Sequence, residues 1–151
     1  MALNIVLLEP EIPNNTGNIG RLSLASGCKL HLIKSLGFDI DDSRVKRSGL
    51  DYWKHVDLHV HESWEDFTSK HPHAEMAFMS SHGENDFYSI DFKADMYVVF
   101  GKESVGLPKD LIETNKEKCY KIPMFSDHIR SLNLANSVAI VVYEGIRQLG
   151  N

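Results

Sequence analysis

Asn15 and Arg21 frame the segment Asn-Thr-Gly-Asn-Ile-Gly-Arg, whose residue types suit the holding of a phosphate-bearing group. On a helix rising 1.5 Å per residue the two would stand about 9 Å apart, which brackets one nucleotide but not one atom. A second segment, Phe-Gly-Lys-Glu-Ser-Val-Gly-Leu-Pro, runs from Phe100 to Pro108. Its Gly101 falls where a strand leaves the sheet, and a residue without a side chain lets a ligand come close to main chain. In the third, Ile122-Pro-Met leads on to Ser-Leu-Asn-Leu-Ala-Asn between Ser131 and Asn136. One of Ser131, Asn133 and Asn136 suffices to cap the apolar helix that follows, which leaves donors and acceptors for a ligand. The apolar strand ends at Met79, Gly101 and Ile122 would together line a slot for a flat heteroaromatic ring.

Short apolar runs alternate with helical patterns from end to end, the mark of βαβ units and an α/β fold with a mostly parallel sheet and helices on both faces. Six strands are expected, at Asn4 to Leu8, Leu30 to Lys34, Val56 to His61, Glu75 to Met79, Met96 to Phe100 and Cys119 to Pro123. A first helix should open near Asn14 or Asn15, capped by one of their side chains, and close at Gly27. Helices are also expected from Ser63 to Lys70, from a first turn holding Pro108, and from Leu134 to Leu149. The last has a broad apolar arc, yet Ile140 and Tyr143 lie outside it beside Asn136 and Arg147. Such a two-sided helix implies a second apolar contact, most simply with another copy of the chain.

The 151 residues, 42% hydrophobic and 25% charged, suit a single globular domain spanning 1–151. A net charge of −5 excludes coating of nucleic acid by overall positive charge, so phosphate contact needs a local patch. Arg44, Lys46, Arg47 and Lys54 form the candidate. Cys28 and Cys119 are the only cysteines and lack metal-ligand spacing, which fits a reducing, cytoplasmic setting. No apolar run reaches the roughly 20 residues of a membrane span, so no membrane association is expected. Eight histidines include His59-x-His61 and His71-x-His73, but neither pair has a third ligand at zinc-like spacing; surface positions and no metal are expected. Walker A, G-x-S-x-G and G-x-G-x-x-G patterns are absent from the sequence.

On these residues the chain resembles the SPOUT class of S-adenosylmethionine-dependent RNA methyltransferases, within its tRNA ribose 2′-O-methyltransferase branch. The likeness covers essentially the whole chain. Asn15-Thr-Gly-Asn-Ile-x-Arg21 corresponds to the first motif, Phe100-Gly-x-Glu103-x-x-Gly106-Leu-Pro to the second, and Ile122-Pro-Met with Ser131-Leu-Asn133-Leu-Ala-Asn to the third. Leu-Glu-Pro-Glu-Ile-Pro-x-Asn near the start and Tyr143-Glu-x-x-Arg-Gln-Leu near the end are similar to the minimal members that methylate the wobble cytidine or uridine of leucine tRNAs.

The resemblance implies a C-terminal trefoil knot, a homodimer joined through the last helix, a tRNA substrate and bound S-adenosylmethionine. It implies cofactor contacts at Met79, Gly101, Ile122, Ser131 and Leu132. It assigns catalysis to Arg21, with Asn15 positioning the ribose and Glu103 ordering the loop around Arg21 or the cofactor. A guanidinium stays charged and accepts protons poorly, so Arg21 suits phosphate binding and stabilisation of developing oxyanion charge. The chain departs from some relatives in lacking an extra RNA-binding domain and in carrying Asn14 where others have proline. A nucleotide- or RNA-binding module without catalysis is the alternative.

Overall fold

Alternation along the strands sorts side chains onto two faces of one sheet. In the computed structural model, which describes residues 2–41, 43–45 and 50–150, Ile5 and Leu7 of β1 (Asn4–Leu8) face one layer while Val6 and Leu8 face the other. The same period of two separates Leu30 and Leu32 from Ile33 in β2 (Lys29–Ile33), and Ala77 and Met79 from Phe78 in β4 (Met76–Met79). All five residues of β1 are buried, as expected of a strand covered on both faces.

Among the described residues seven strands, completed by β3 (Leu58–His61), β5 (Asn85–Asp86), β6 (Tyr97–Phe100) and β7 (Cys119–Lys121), lie in the order β3-β2-β1-β6-β4-β7-β5, and every pairing between them is parallel. The six expected strands are all present. The count of six is corrected by β5, whose two residues are too few to leave a periodic signal.

One face is covered by α1 (Pro13–Ser26) and α4 (Leu134–Leu149), which pack on each other and on the sheet through Ile19, Val138, Val141 and Val142. The other carries α2 (Trp64–Lys70) and α3 (Lys109–Thr114), with Phe67, Leu111 and Ile112 against Val6, Phe78 and Val99. Each fully buried aliphatic side chain contributes roughly 1.5–3 kcal/mol, so the two layers supply the main driving force.

Helix ends follow local chemistry with one exception. Gly27 takes φ 69° after α1, Ser63 accepts from the Asp66 N–H at the start of α2, and Pro108 immediately precedes α3. At the start of α1, however, the capping position is Ile12, and neither Asn14 nor Asn15 caps the helix. A carboxylate from elsewhere in the chain instead holds the two residues before the helix, as described below. Ile140 and Tyr143 on α4 are 40% and 48% exposed, and Asn136 and Arg147 beside them are exposed too. No described helix is long and apolar enough to cross a membrane. Lys46 and Arg47 of the expected basic patch lie outside the described residues.

Candidate active site

The C-terminal ends of β4, β6 and β7 are adjacent because β4 sits between β6 and β7 in the sheet. Chain leaving these ends builds a cavity of about 580 Å³. Met79 and Ser80 form one part of its wall, Phe100 to Gly106 another, and Ile122, Met124 and Arg130 to Leu134 a third. Asn15 and Ile12 close it from the start of α1. Of the residues singled out by the sequence, Asn15, Met79, Gly101, Glu103, Ile122, Ser131 and Leu132 therefore share one cavity.

Arg21 does not line that cavity. It is exposed on α1, with its guanidinium carbon 5.0 Å from the centre of the Tyr52 ring. The stacking partner sits on a 3-10 turn, Leu50–His55, that packs beside α1. Such cation–π stacking orients the guanidinium while leaving its N–H groups open to solvent.

The loop after β6 is tightly folded. Gly106 adopts φ 74° and its N–H donates to the Lys102 carbonyl at 2.8 Å, and a Cβ on Gly101 would run into the backbone of Gly106 and Leu107. Only glycine fits at Gly101, for reasons of space rather than torsion.

Two glutamates clasp this loop to α1. The Glu103 carboxylate accepts from the backbone N–H groups of Glu11 at 2.8 Å and Ile12 at 2.9 Å, while the Glu11 carboxylate accepts from the Ser104 N–H at 2.9 Å. A reciprocal exchange of this kind normally caps a helix within four residues of sequence. Here the two halves are about ninety residues apart, and Glu103 places negative charge at the positive end of α1. The hydrogen bonds from Ser104 hold the Glu11 carboxyl below its usual range. Lys102 adds an ion pair to Glu9 at 3.5 Å.

Asn15 is 7% exposed, and both ends of its amide are used. Its Nδ2 donates to Glu103 at 3.2 Å, and its Oδ1 accepts from Asn133 Nδ2 at 3.1 Å. Asn133 in turn accepts from the Asn136 N–H at 3.2 Å and so caps α4. One buried side chain thus ties two cavity walls together. Ser131 is exposed at the cavity edge, and its side chain is not needed for the cap.

A profile of the SpoU rRNA Methylase family matches residues 2–143. The chain belongs to that family. Within the SpoU family it is 43% identical over 150 residues to the tRNA (cytidine(34)-2′-O)-methyltransferase of Burkholderia cenocepacia, covering 97% of this chain and 96% of that one. A solved structure described as giving insight into "the 2-OH methylation of C/U34 on tRNA" is 43% identical, with a TM-score of 0.93 over 98% of this chain and 96% of the other. The SpoU methyltransferase of Streptomyces viridochromogenes in complex with the cofactor AdoMet shares the fold at 24% identity, TM-score 0.86, over 98% of this chain and 58% of that one. The fold of this SpoU-family chain is the SPOUT arrangement, with its C-terminal part threaded into a trefoil knot.

Sequence reasoning missed the clasp between Glu11 and Ser104, because nothing local links them. It also placed the histidines wrongly. His61 is buried and His71 half-buried, whereas His59 and His73 are exposed as expected. Parallel pairing of β2 with β3 brings in His31, a buried third ring that no sequence spacing announced.

Proposed function

We propose that this SpoU-family protein transfers a methyl group from S-adenosylmethionine to the ribose 2′-hydroxyl of cytidine or uridine 34 in tRNA, with leucine tRNAs as substrates. The reading is carried by the convergence of three distant loops on one cavity, in a chain whose full-length relative at 43% identity bears tRNA cytidine 34 2′-O-methylation in its name. It acts in the cytoplasm as a homodimer, and no metal takes part in the transfer.

The cavity suits the cofactor. Its volume of about 580 Å³ falls within the roughly 300–1,000 Å³ of small-molecule sites, and it combines apolar walls with exposed backbone. Met79, Ile122 and Leu132 offer apolar surface to a flat ring, the tight turn at Gly101 brings main chain within reach, and Ser131 supplies a hydroxyl. Bound there, S-adenosylmethionine would supply an electrophilic methyl group.

The chain contributes position and charge rather than acid chemistry. Asn15 and Glu103 are positioning residues, since their polar atoms hold the α1, Gly101 and Asn133 segments in one arrangement. Arg21, exposed and oriented by Tyr52, binds an RNA phosphate and stabilises negative charge developing on the 2′-oxygen. Lys54, on the turn that carries Tyr52, adds to the attraction. Exposure of Ile140 and Tyr143 supports a partner subunit on α4.

Labelled S-adenosylmethionine incubated with unmodified leucine tRNA transcripts tests the reading. Methyl label must appear as a 2′-O-methyl nucleoside at position 34; cofactor binding without transfer to any tRNA would leave a nucleotide-binding module.

A further inference from the structure

We propose that His31, His61 and His71 form a binding site for one zinc-type divalent metal ion, on the sheet face opposite α1 and α4. Each ring offers one nitrogen, and the three lie within 4.8 Å of one another. They come from β2, from the end of β3 and from the residue after α2, so an ion there would pin three elements together.

Hydrogen bonding assigns the rings. Asn4 Nδ2 donates to the Asp95 carbonyl at 3.0 Å, so Asn4 Oδ1 faces His31 Nε2, also at 3.0 Å, and that nitrogen carries the proton. His31 Nδ1 therefore presents a lone pair, backed by an amide oxygen as metal-bound histidines commonly are. It lies 3.0 Å from His61 Nε2. Two nitrogens about 2.05 Å from a tetrahedral zinc are separated by roughly 3.3 Å, so this pair needs to open only slightly. His61 Nδ1 is buried with no hydrogen-bond partner among the described residues, and it can take the proton that Nε2 gives up on binding. His71 shares Nδ1 with the Tyr97 hydroxyl at 3.1 Å, which leaves Nε2 for the ion.

The surroundings agree with this assignment. Burial, reinforced by His59, His61, His71 and Lys29, lowers His31 to about 3, and burial also lowers His61 and His71. All three rings are neutral, ligand-ready imidazoles at pH 7. His71 and Tyr97 also line an open cavity of about 420 Å³ at the N-terminal ends of β4 and β6. That opening supplies an entry route and room for a water as fourth ligand. It lies at the strand ends away from the cofactor cavity, and the two sites share no residue.

Untagged protein stripped with chelator and titrated with Zn²⁺ against a competing chromophoric chelator tests the site. One equivalent should bind with a dissociation constant of micromolar or below, raise the thermal midpoint, and be weakened at least tenfold by His71→Ala at a half-buried position. His59→Ala should leave affinity unchanged. Co²⁺ in place of zinc should give the intense visible bands of a tetrahedral site. Absence of stoichiometric binding, affinity unaltered by His71→Ala, or equal loss on His59→Ala would each overturn the assignment.

Discussion

Glu103 Oε2 lies 3.2 Å from Nδ2 of Asn15, and through this contact the loop after β6 and the start of α1 become one rigid unit. The same carboxylate satisfies two N–H groups at the mouth of α1, and the same asparagine holds Asn133. Mobility in the loop after β6 is therefore coupled to the helix that carries Arg21.

Removing the carboxylate breaks three hydrogen bonds at once. Hydrogen bonds to charged groups contribute about 1.5–3 kcal/mol each where well shielded, and this site is partly open to solvent. Glu103→Ala should lower unfolding free energy by about 2 kcal/mol in urea titrations and weaken S-adenosylmethionine binding at least tenfold by calorimetry. Unchanged cofactor affinity would show that the clasp does not shape the cavity.

A methyl group at Gly101 has nowhere to go, because the Gly106 and Leu107 backbone occupies its place. Gly101→Ala should abolish measurable cofactor binding while far-ultraviolet circular dichroism stays native, since the strain is confined to one loop. Full binding by this variant would mean that the loop opens in solution.

For Arg21 the readouts separate. The residue stands outside the cavity, so Arg21→Ala should bind S-adenosylmethionine with wild-type affinity yet methylate tRNA at least a hundredfold more slowly. Arg21→Lys should recover little, because an ammonium lacks the planar fork that binds phosphate bidentately. Near-full activity of the alanine variant would remove Arg21 from the mechanism.

Acid should destabilise the metal-free fold well before carboxylates titrate. His31 is held at about 3 in the folded chain against 6.5 for the free side chain, with burial first and His59, His61, His71 and Lys29 after it as causes. Below pH 6.5 the unfolded chain binds a proton that the folded chain refuses, so stability is full above that value and falls as pH drops toward 3. The slope attributable to this group is at most about 1.4 kcal/mol per pH unit. Urea midpoints for wild type and His31→Gln between pH 7 and 5 measure it; equal slopes for the two would show that His31 is protonated when folded.

On α4, Ile140 and Tyr143 remain 40% and 48% exposed among the described residues. The double variant Ile140→Asp with Tyr143→Asp should sediment as a monomer with its circular dichroism intact, whereas the wild type should sediment as a dimer. A wild-type monomer at micromolar concentration would assign that surface to something else.

The order of residue types along the chain was enough to read the layers of this protein and the loops that line its cavity. Period-two runs such as Asn4 to Leu8 and the broad arc of Leu134 to Leu149 are local patterns, set by how each element buries apolar surface, and they are legible without neighbours. The glycines and asparagines of the three loops were legible too, as residue types with few other uses at strand ends and helix starts. Partnership between distant residues came only with the folded sheet. Glu103 meeting the mouth of α1, Asn15 joining Asn133, and His31 settling against His61 all depend on which strands lie side by side. Strand order is fixed by the summed packing of both sheet faces, an energy spread over the whole core. No single residue or spacing records it, so contacts between positions ninety residues apart emerge only when the sheet is assembled.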